Sequence, residues 1–236
     1  MTLDFSFIWT AFKQLVPALP TTLQITVVSV GIGFIIGTFI ALSRLFNVPV
    51  LSQLGAAYVT FIRGTPMLTH LFLVYFGFSM ILDHLSEKYG WSFNSVSIPM
   101  IGFAYIAFSI TASAYLSEIV RSSIQSVEKG QMEAARAVGM STSQGLRRIV
   151  FPQAFAAALP NLSNTLIAML HASTLAFIVS VVDINAKAQI VASVNWKFTE
   201  AYLAAALLFW IVTIAIERVT GALEKRINVY NRGGVA

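Results

Sequence analysis

The sequence predicts an all-α integral membrane protein with five transmembrane helices, and composition and charge spacing carry that prediction. Of its 236 residues, 57% are hydrophobic and only 11% are charged. Soluble domains run about 45–50% apolar and about 25% charged. Mean hydropathy is +0.77, and one core of this size cannot enclose so much apolar surface. The sparse charges leave five uncharged runs near the roughly 20 residues that a spanning helix needs. These features stand against a soluble enzyme, a disordered chain and a disulfide-stapled domain. Without Cys there is no disulfide, thiolate nucleophile or Cys-bound zinc.

The first span lies between Lys13 and Arg44; its apolar part begins after Pro20 and covers residues 22–43. Ser29, Gly33, Gly37 and Ala41 recur in it at four-residue spacing. Gly33 and Gly37 form a small-xxx-small seam that admits another backbone in lipid, either within the chain or at a dimer contact. Residues 45–62 lack charge, but Asn47, Pro49, Ser52 and Gln53 interrupt them; they read as an amphipathic connector along the membrane surface. Arg63 opens the second span, 64–82, within FIRGTP, where Gly64 and Pro66 loosen or cap the helix start. A cation at that edge either snorkels to the interface or helps hold a pathway. The third span, 98–120, follows the polar stretch WSFNSVS. Pro160 starts the fourth, 160–182, and the fifth covers 200–217.

Five spans put the termini on opposite sides. With the N-terminus outside, ten cations lie inside: Arg44, Arg121, Lys129, Arg136, Arg147, Arg148, Arg218, Lys225, Arg226 and Arg232. Four lie outside, Lys13, Lys88, Lys187 and Lys197, with Arg63 at a helix start. The positive-inside rule therefore places the C-terminus in the cytoplasm. The net charge of +5 belongs to this distribution and implies membrane lipid as the neighbour, not nucleic acid. The start, MTLDFSFIWTAFKQ, lacks a basic n-region, so no cleaved signal peptide is expected. No fixed-period repeat or second domain is visible; residues 1–236 read as one transmembrane domain.

The fourth span carries a polar stripe. Asn161, Asn164, Thr165, Ala168 and Ala172 share one face at helical spacing, His171 borders it, and Ser173 and Thr174 follow. Polar groups at membrane depth face a bundle interior or a water-filled path. Interhelical hydrogen bonding is the plain reading; a solute path is favoured because several polar groups share one stripe.

The largest cytoplasmic loop, 121–152, contains VEKGQMEAARAVGMSTSQGLRRIVFPQAF. It predicts a short helix over 131–138 ended by Gly139. A second follows, capped by Ser141 or Ser143 and running to Ile149, before Pro152 breaks the chain. Two short helices at an angle suit either an interfacial loop or a docking knob for a cytoplasmic partner.

At this loop the sequence resembles a family. Glu133-Ala134-Ala135, Gly139 four positions on, and Ile149 followed by Phe151-Pro152 are similar to the EAA signature of ATP-binding cassette importer membrane subunits. There the ending is I-x-L-P, so Phe151 is a mild departure. Thr21-Thr22-Leu23, Arg63-Gly64-Thr65-Pro66, the run AYLSEIVR ending at Arg121, and Gly130-Gln131 resemble the polar amino acid permease branch. The landmarks cover about residues 17–220.

The resemblance implies a type I importer permease fold with two short cytoplasmic coupling helices, in a bacterial cytoplasmic membrane. It implies two ATP-binding subunits docked on the EAA loop, an extracytoplasmic amino acid binding protein, and a second permease copy or homologue, with a homodimer favoured. Glu133 would contact the ATPase or cap the coupling helix, Ala134 and Ala135 would keep the contact close, and Gly139 would permit the turn. The chain has no G-x-x-x-x-G-K-[ST] run, so it has no phosphate-cradling loop of its own. No cofactor, metal or catalytic residue is expected in it; ATP and Mg belong to the partners.

Branch members that take cationic amino acids carry acids near the stretch matching Asn164–Ser173. Here Thr165 and Ala172 occupy those places. Glu118, the one membrane-embedded acid, is three residues before Arg121 and reads as its ion-pair partner. A bare cation in such a path would lack a counter-charge, so a zwitterionic polar amino acid is favoured. The run HASTLAFIVSVVD resembles cystine permeases. A secondary transporter or channel is the competing class, though such proteins usually show more spans and inverted repeats. A membrane scaffold without a solute path is the third.

Overall fold

The computed structural model describes residues 3–232, whose regular structure is helical. Asp4 caps α1 (Phe5–Leu15), its carboxylate accepting from Phe7 N at 3.0 Å. The same carboxylate meets Lys197 Nζ at 2.6 Å. With that ammonium beside it, the Asp4 carboxyl is held well below the usual carboxylate range. A 3₁₀ turn, Val16–Ala18, leads into α2 (Leu19–Leu45), giving one continuous helical stretch of 41 residues, Phe5–Leu45, that contains the first span. The helix therefore begins well before Pro20, where the sequence places the start of its apolar part. Pro17 and Pro20 occupy first turns, where a missing N–H costs no intrahelical bond.

The amphipathic connector is α3 (Leu51–Arg63). It buries Val59 and Ile62 against Ala114, and Tyr58 Oη lies 2.9 Å from Ile110 O. Arg63 therefore ends a helix instead of opening one. Gly64 N closes the last turn on Thr60 O at 3.0 Å, and Pro66 forces an extended approach to the next helix. The second span starts at Met67 as α4 (Met67–Phe72), passes a π-helical turn at Leu73–Phe78, and ends as α5 (Ser79–Tyr89). It outruns the expected 64–82 because Asp83, Glu87 and Lys88 sit on its exposed end. There Asp83 accepts from Ser95 N and Oγ, each at 2.7 Å.

The third span, α6 (Met100–Gln125), is the central helix, burying Phe103, Ala107, Phe108, Ala112 and Leu116. α2 runs along it at close approach. A Cβ at Gly33 would stand 2.7 Å from Ala112 Cβ, and one at Gly37 2.6 Å from Ser113 O. The small-xxx-small seam is thus filled from within the chain.

The loop holds α7 (Lys129–Ala137) and α8 (Thr142–Gly145). From there a π-helical turn, Leu146–Val150, runs into α9 (Phe151–Ala172) and a 3₁₀ segment, Ser173–Val179. Thr142–Val179 is one 38-residue span. Two expectations are corrected: Pro152 breaks nothing, and Pro160 lies inside the helix. The π turn already departs from the i→i−4 ladder where Pro152 lacks its N–H. Pro160 takes the helical partner from the Ala156 carbonyl, a loss that helices within a membrane bundle tolerate.

α10 (Ile184–Asn195) was not expected from the sequence; the Asp183 carboxylate caps it, accepting from Ala186 N at 2.8 Å. The last helix, α11 (Phe198–Arg232), extends well past the expected 200–217. Between them α10 and α11 form the surface on which α1 buries Ala11 and Leu15, against Ile184, Ala188, Ala204 and Leu208.

Candidate functional site

The polar stripe opens on a cleft of about 480 Å³ between α4, α6 and α9. Asn161, Asn164, Thr165, Ala168 and Ala172 line its α9 wall, with Met169. Thr111, Tyr115 and Ile119 line the α6 wall at four-residue spacing, and Met67 closes the α4 side. No Asp, Glu, Lys or Arg lines it among the described residues. Polar groups are therefore presented in an apolar frame.

His171 and Ser173, expected on this path, are not on the cleft wall. His171 Nε2 stands 3.2 Å from Thr213 Oγ1, and its ring meets Phe209 edge-on at 6.1 Å, both on α11. The reason is helical phase. A seven-residue step drifts by about 20°, and Asn164 already sits on the side of the stripe nearer α11. Ser173 begins the 3₁₀ segment, is fully buried, and donates to Leu170 O at 2.7 Å. Arg63 is exposed and does not line the cleft; its guanidinium is 5.5 Å from the centre of the Tyr115 ring.

Sequence reasoning missed Thr111, Tyr115, Ile119, Met67, Met169 and one residue behind them. His70 is 3% exposed, with Nδ1 2.9 Å from Thr111 Oγ1 and Nε2 2.7 Å from Thr65 Oγ1. Two signals were available: an ionisable residue inside a span, and the i, i+4, i+8 spacing of residues 111, 115 and 119. Glu118 pairs with Arg121 Nη2 at 2.8 Å, as its spacing indicated, and also with Arg44 from the end of α2. Its charge is consumed there.

At the loop, α7 ends on Gly139 at φ +82°, a left-handed turn that a Cβ would strain. Ser141 then caps α8 through a reciprocal pair with Gln144, at 3.3 Å and 2.9 Å. Glu133, Ala134 and Gly139 are exposed, and Val138 is 74% exposed beside them. Ala135 faces the other way. It is 1% exposed and packs towards Gly145, where a Cβ would stand 3.4 Å from Ala135 Cβ and 2.8 Å from Met132 Sδ. Its small size serves the α7–α8 contact within the loop, not an outer surface.

Five spans, a polar cleft between them and a compact loop joined to the cleft wall by one rod define a membrane permease. Residues 33–229 match the family model described as "Binding-protein-dependent transport system inner membrane component", and the chain belongs to that family. It is 36% identical over 228 residues to the probable amino-acid ABC transporter permease protein PatM of Vibrio harveyi, covering 97% of this chain and 98% of the relative. To the L-cystine transport system permease protein TcyL of Bacillus subtilis (strain 168) it is 34% identical, over 95% of this chain and 91% of the relative. A chain of a solved amino acid ABC transporter described "with histidines" superposes with a TM-score of 0.81. It is 32% identical, over 96% of this chain and 100% of that one. The protein is thus the permease subunit of an amino-acid ABC transporter with the type I importer fold. ATP hydrolysis belongs to a separate subunit.

Proposed function

We propose that this permease conducts a zwitterionic polar amino acid, cystine foremost, through the cleft lined by Asn161, Asn164, Thr165, Ala168 and Ala172. The observation that carries the reading is the absence of any charged side chain from the lining of that cleft among the described residues, with Glu118 neutralised by Arg44 and Arg121. A cation there would pay desolvation without a counter-charge, whereas a zwitterion, whose ammonium and carboxylate charges balance, can divide them between amide and hydroxyl dipoles. The likeness to a cystine permease supports cystine among the zwitterions.

In this reading Glu133, Ala134 and the Gly139 turn meet the ATP-binding subunits, of which there are two. Ala135 acts from inside by holding α7 on α8. The exposed Val138 gives the docking face an apolar anchor. A second copy of the chain completes the path, an extracytoplasmic amino acid binding protein delivers the solute, and the N-terminus faces outward. ATPase stimulation tests the substrate class. The complex is placed in lipid with its ATPase and binding protein and given cystine, glutamine, histidine, arginine and glutamate in turn. Stimulation by cystine or another zwitterion is expected; stimulation by arginine alone overturns the charge argument.

A further inference from the structure

Behind the α6 wall runs a chain of four short polar contacts. Thr65 Oγ1 is 2.8 Å from Phe61 O and 2.7 Å from His70 Nε2. His70 Nδ1 is 2.9 Å from Thr111 Oγ1, which is 3.1 Å from Ala107 O. The hydrogens can be counted. Each hydroxyl carries one, and a neutral imidazole carries one on either nitrogen, making three for four contacts. If Nδ1 holds the imidazole proton, it donates to Thr111, whose own hydrogen goes to Ala107 O. If Nε2 holds it, Thr111 donates to Nδ1. In both tautomers the Thr111 hydrogen is used inside the protein, and what Thr111, 3% exposed on the cleft lining, has left to offer a solute is an oxygen lone pair.

We propose that His70 is a positioning residue that fixes Thr111 as a hydrogen-bond acceptor for the α-ammonium of the amino acid. This rests on the reading of the cleft as the solute's site. A wall oxygen with no hydrogen to give favours a donor and leaves a ligand lacking one unpaired, and such mismatches carry large discrimination. The amides of Asn161 and Asn164 on the α9 wall supply N–H donors for the carboxylate. Arg63, stacked on Tyr115 one turn further along α6, braces the same wall. His70 thereby sets which end of the zwitterion turns towards α6.

The test is equilibrium binding to the permease–ATPase complex in lipid nanodiscs, without the binding protein. The probes are L-cystine and its des-amino analogue dithiodipropionate, and L-glutamine and its des-amino analogue glutaramate. The wild-type complex is expected to prefer the amino acid over its analogue by about tenfold or more. His70→Leu frees the Thr111 hydroxyl to rotate and lowers that preference about fivefold, as does Thr111→Val, while the penalty on the analogue's net negative charge is common to all variants. His70→Gln, whose amide nitrogen donates and whose oxygen accepts, retains the preference, which a purely space-filling role for His70 would not demand. An unchanged preference in His70→Leu, or in Thr111→Val, overturns the proposal while the cleft remains the site. If His70→Leu does not assemble, the contrast of Thr111→Val with Thr111→Ser decides. Absence of wild-type binding, or full binding by Asn164→Leu, overturns the cleft reading and this inference with it.

Discussion

Gly139 holds φ +82° between two short helices. Asp tolerates that region better than most residues, so Gly139→Asp keeps the turn at a cost of about 1 kcal/mol while adding bulk and charge at the proposed docking face. The complex is expected to assemble and hydrolyse ATP without uptake, measured side by side in proteoliposomes; normal uptake refutes the docking role. Asp183 illustrates a different residue-level tension. It is fully buried, Oδ1 caps α10, Oδ2 has no partner among the described residues, and burial pushes the carboxyl up to about 6. Because that value lies above the unfolded one, stability is greatest below pH ~4 and is lost as pH rises through about 6. Asp183→Asn keeps a capping oxygen without the buried charge. Its melting temperature is expected to exceed the wild type's at pH ~7.5, by the equivalent of roughly 2–3 kcal/mol, and to match it near pH ~4. An equal gain at both pH values would show that charge is not the cause.

Among the elements, the α2–α6 pair has the least room. With 2.6 Å between a Cβ at Gly37 and Ser113 O, Gly37→Val must push the two helix backbones apart. It is expected to cost at least about 2–3 kcal/mol, read as loss of the monodisperse peak on mild heating. The α8–α9 rod carries a prediction of its own. Inserting one alanine between Ala157 and Ala158, in the α-helical part of the rod, rotates the loop against the cleft by about 100°. The permease should still insert, with solute no longer stimulating the ATPase; retained stimulation would show that the angular setting is immaterial. These elements also show how far the sequence could be read. Charge-free runs located all five spans, because in lipid a run of apolar residues has one stable form. The prolines misled. Pro20, Pro152 and Pro160 read as boundaries in the sequence, yet each sits where its missing N–H is harmless or locally compensated. The stripe from Asn161 to Ala172 was legible from its period, whereas Thr111 and Tyr115 needed the α6–α9 crossing to be known. The Arg44–Glu118 pair joins residues 74 positions apart, a distance no local pattern spans.

For the whole molecule, the uncharged cleft makes substrate class a matter of few substitutions. Ala172→Glu places a carboxylate in the lining, and the assembled transporter is expected to gain stimulation by arginine and lose at least about tenfold in response to a zwitterion. An unaltered preference would locate selectivity wholly in the binding protein. The clasp between Asp4 and Lys197 has a consequence in time. The partners lie 193 residues apart, and α1 packs on α10 and α11, which are made much later. At roughly 5–20 residues per second, the ribosome leaves α1 without its neighbours for about 10–40 s. During that interval α1 can bury its apolar face only in lipid or in the insertion machinery, so assembly here closes by bringing an early-made stretch of the chain onto one made much later.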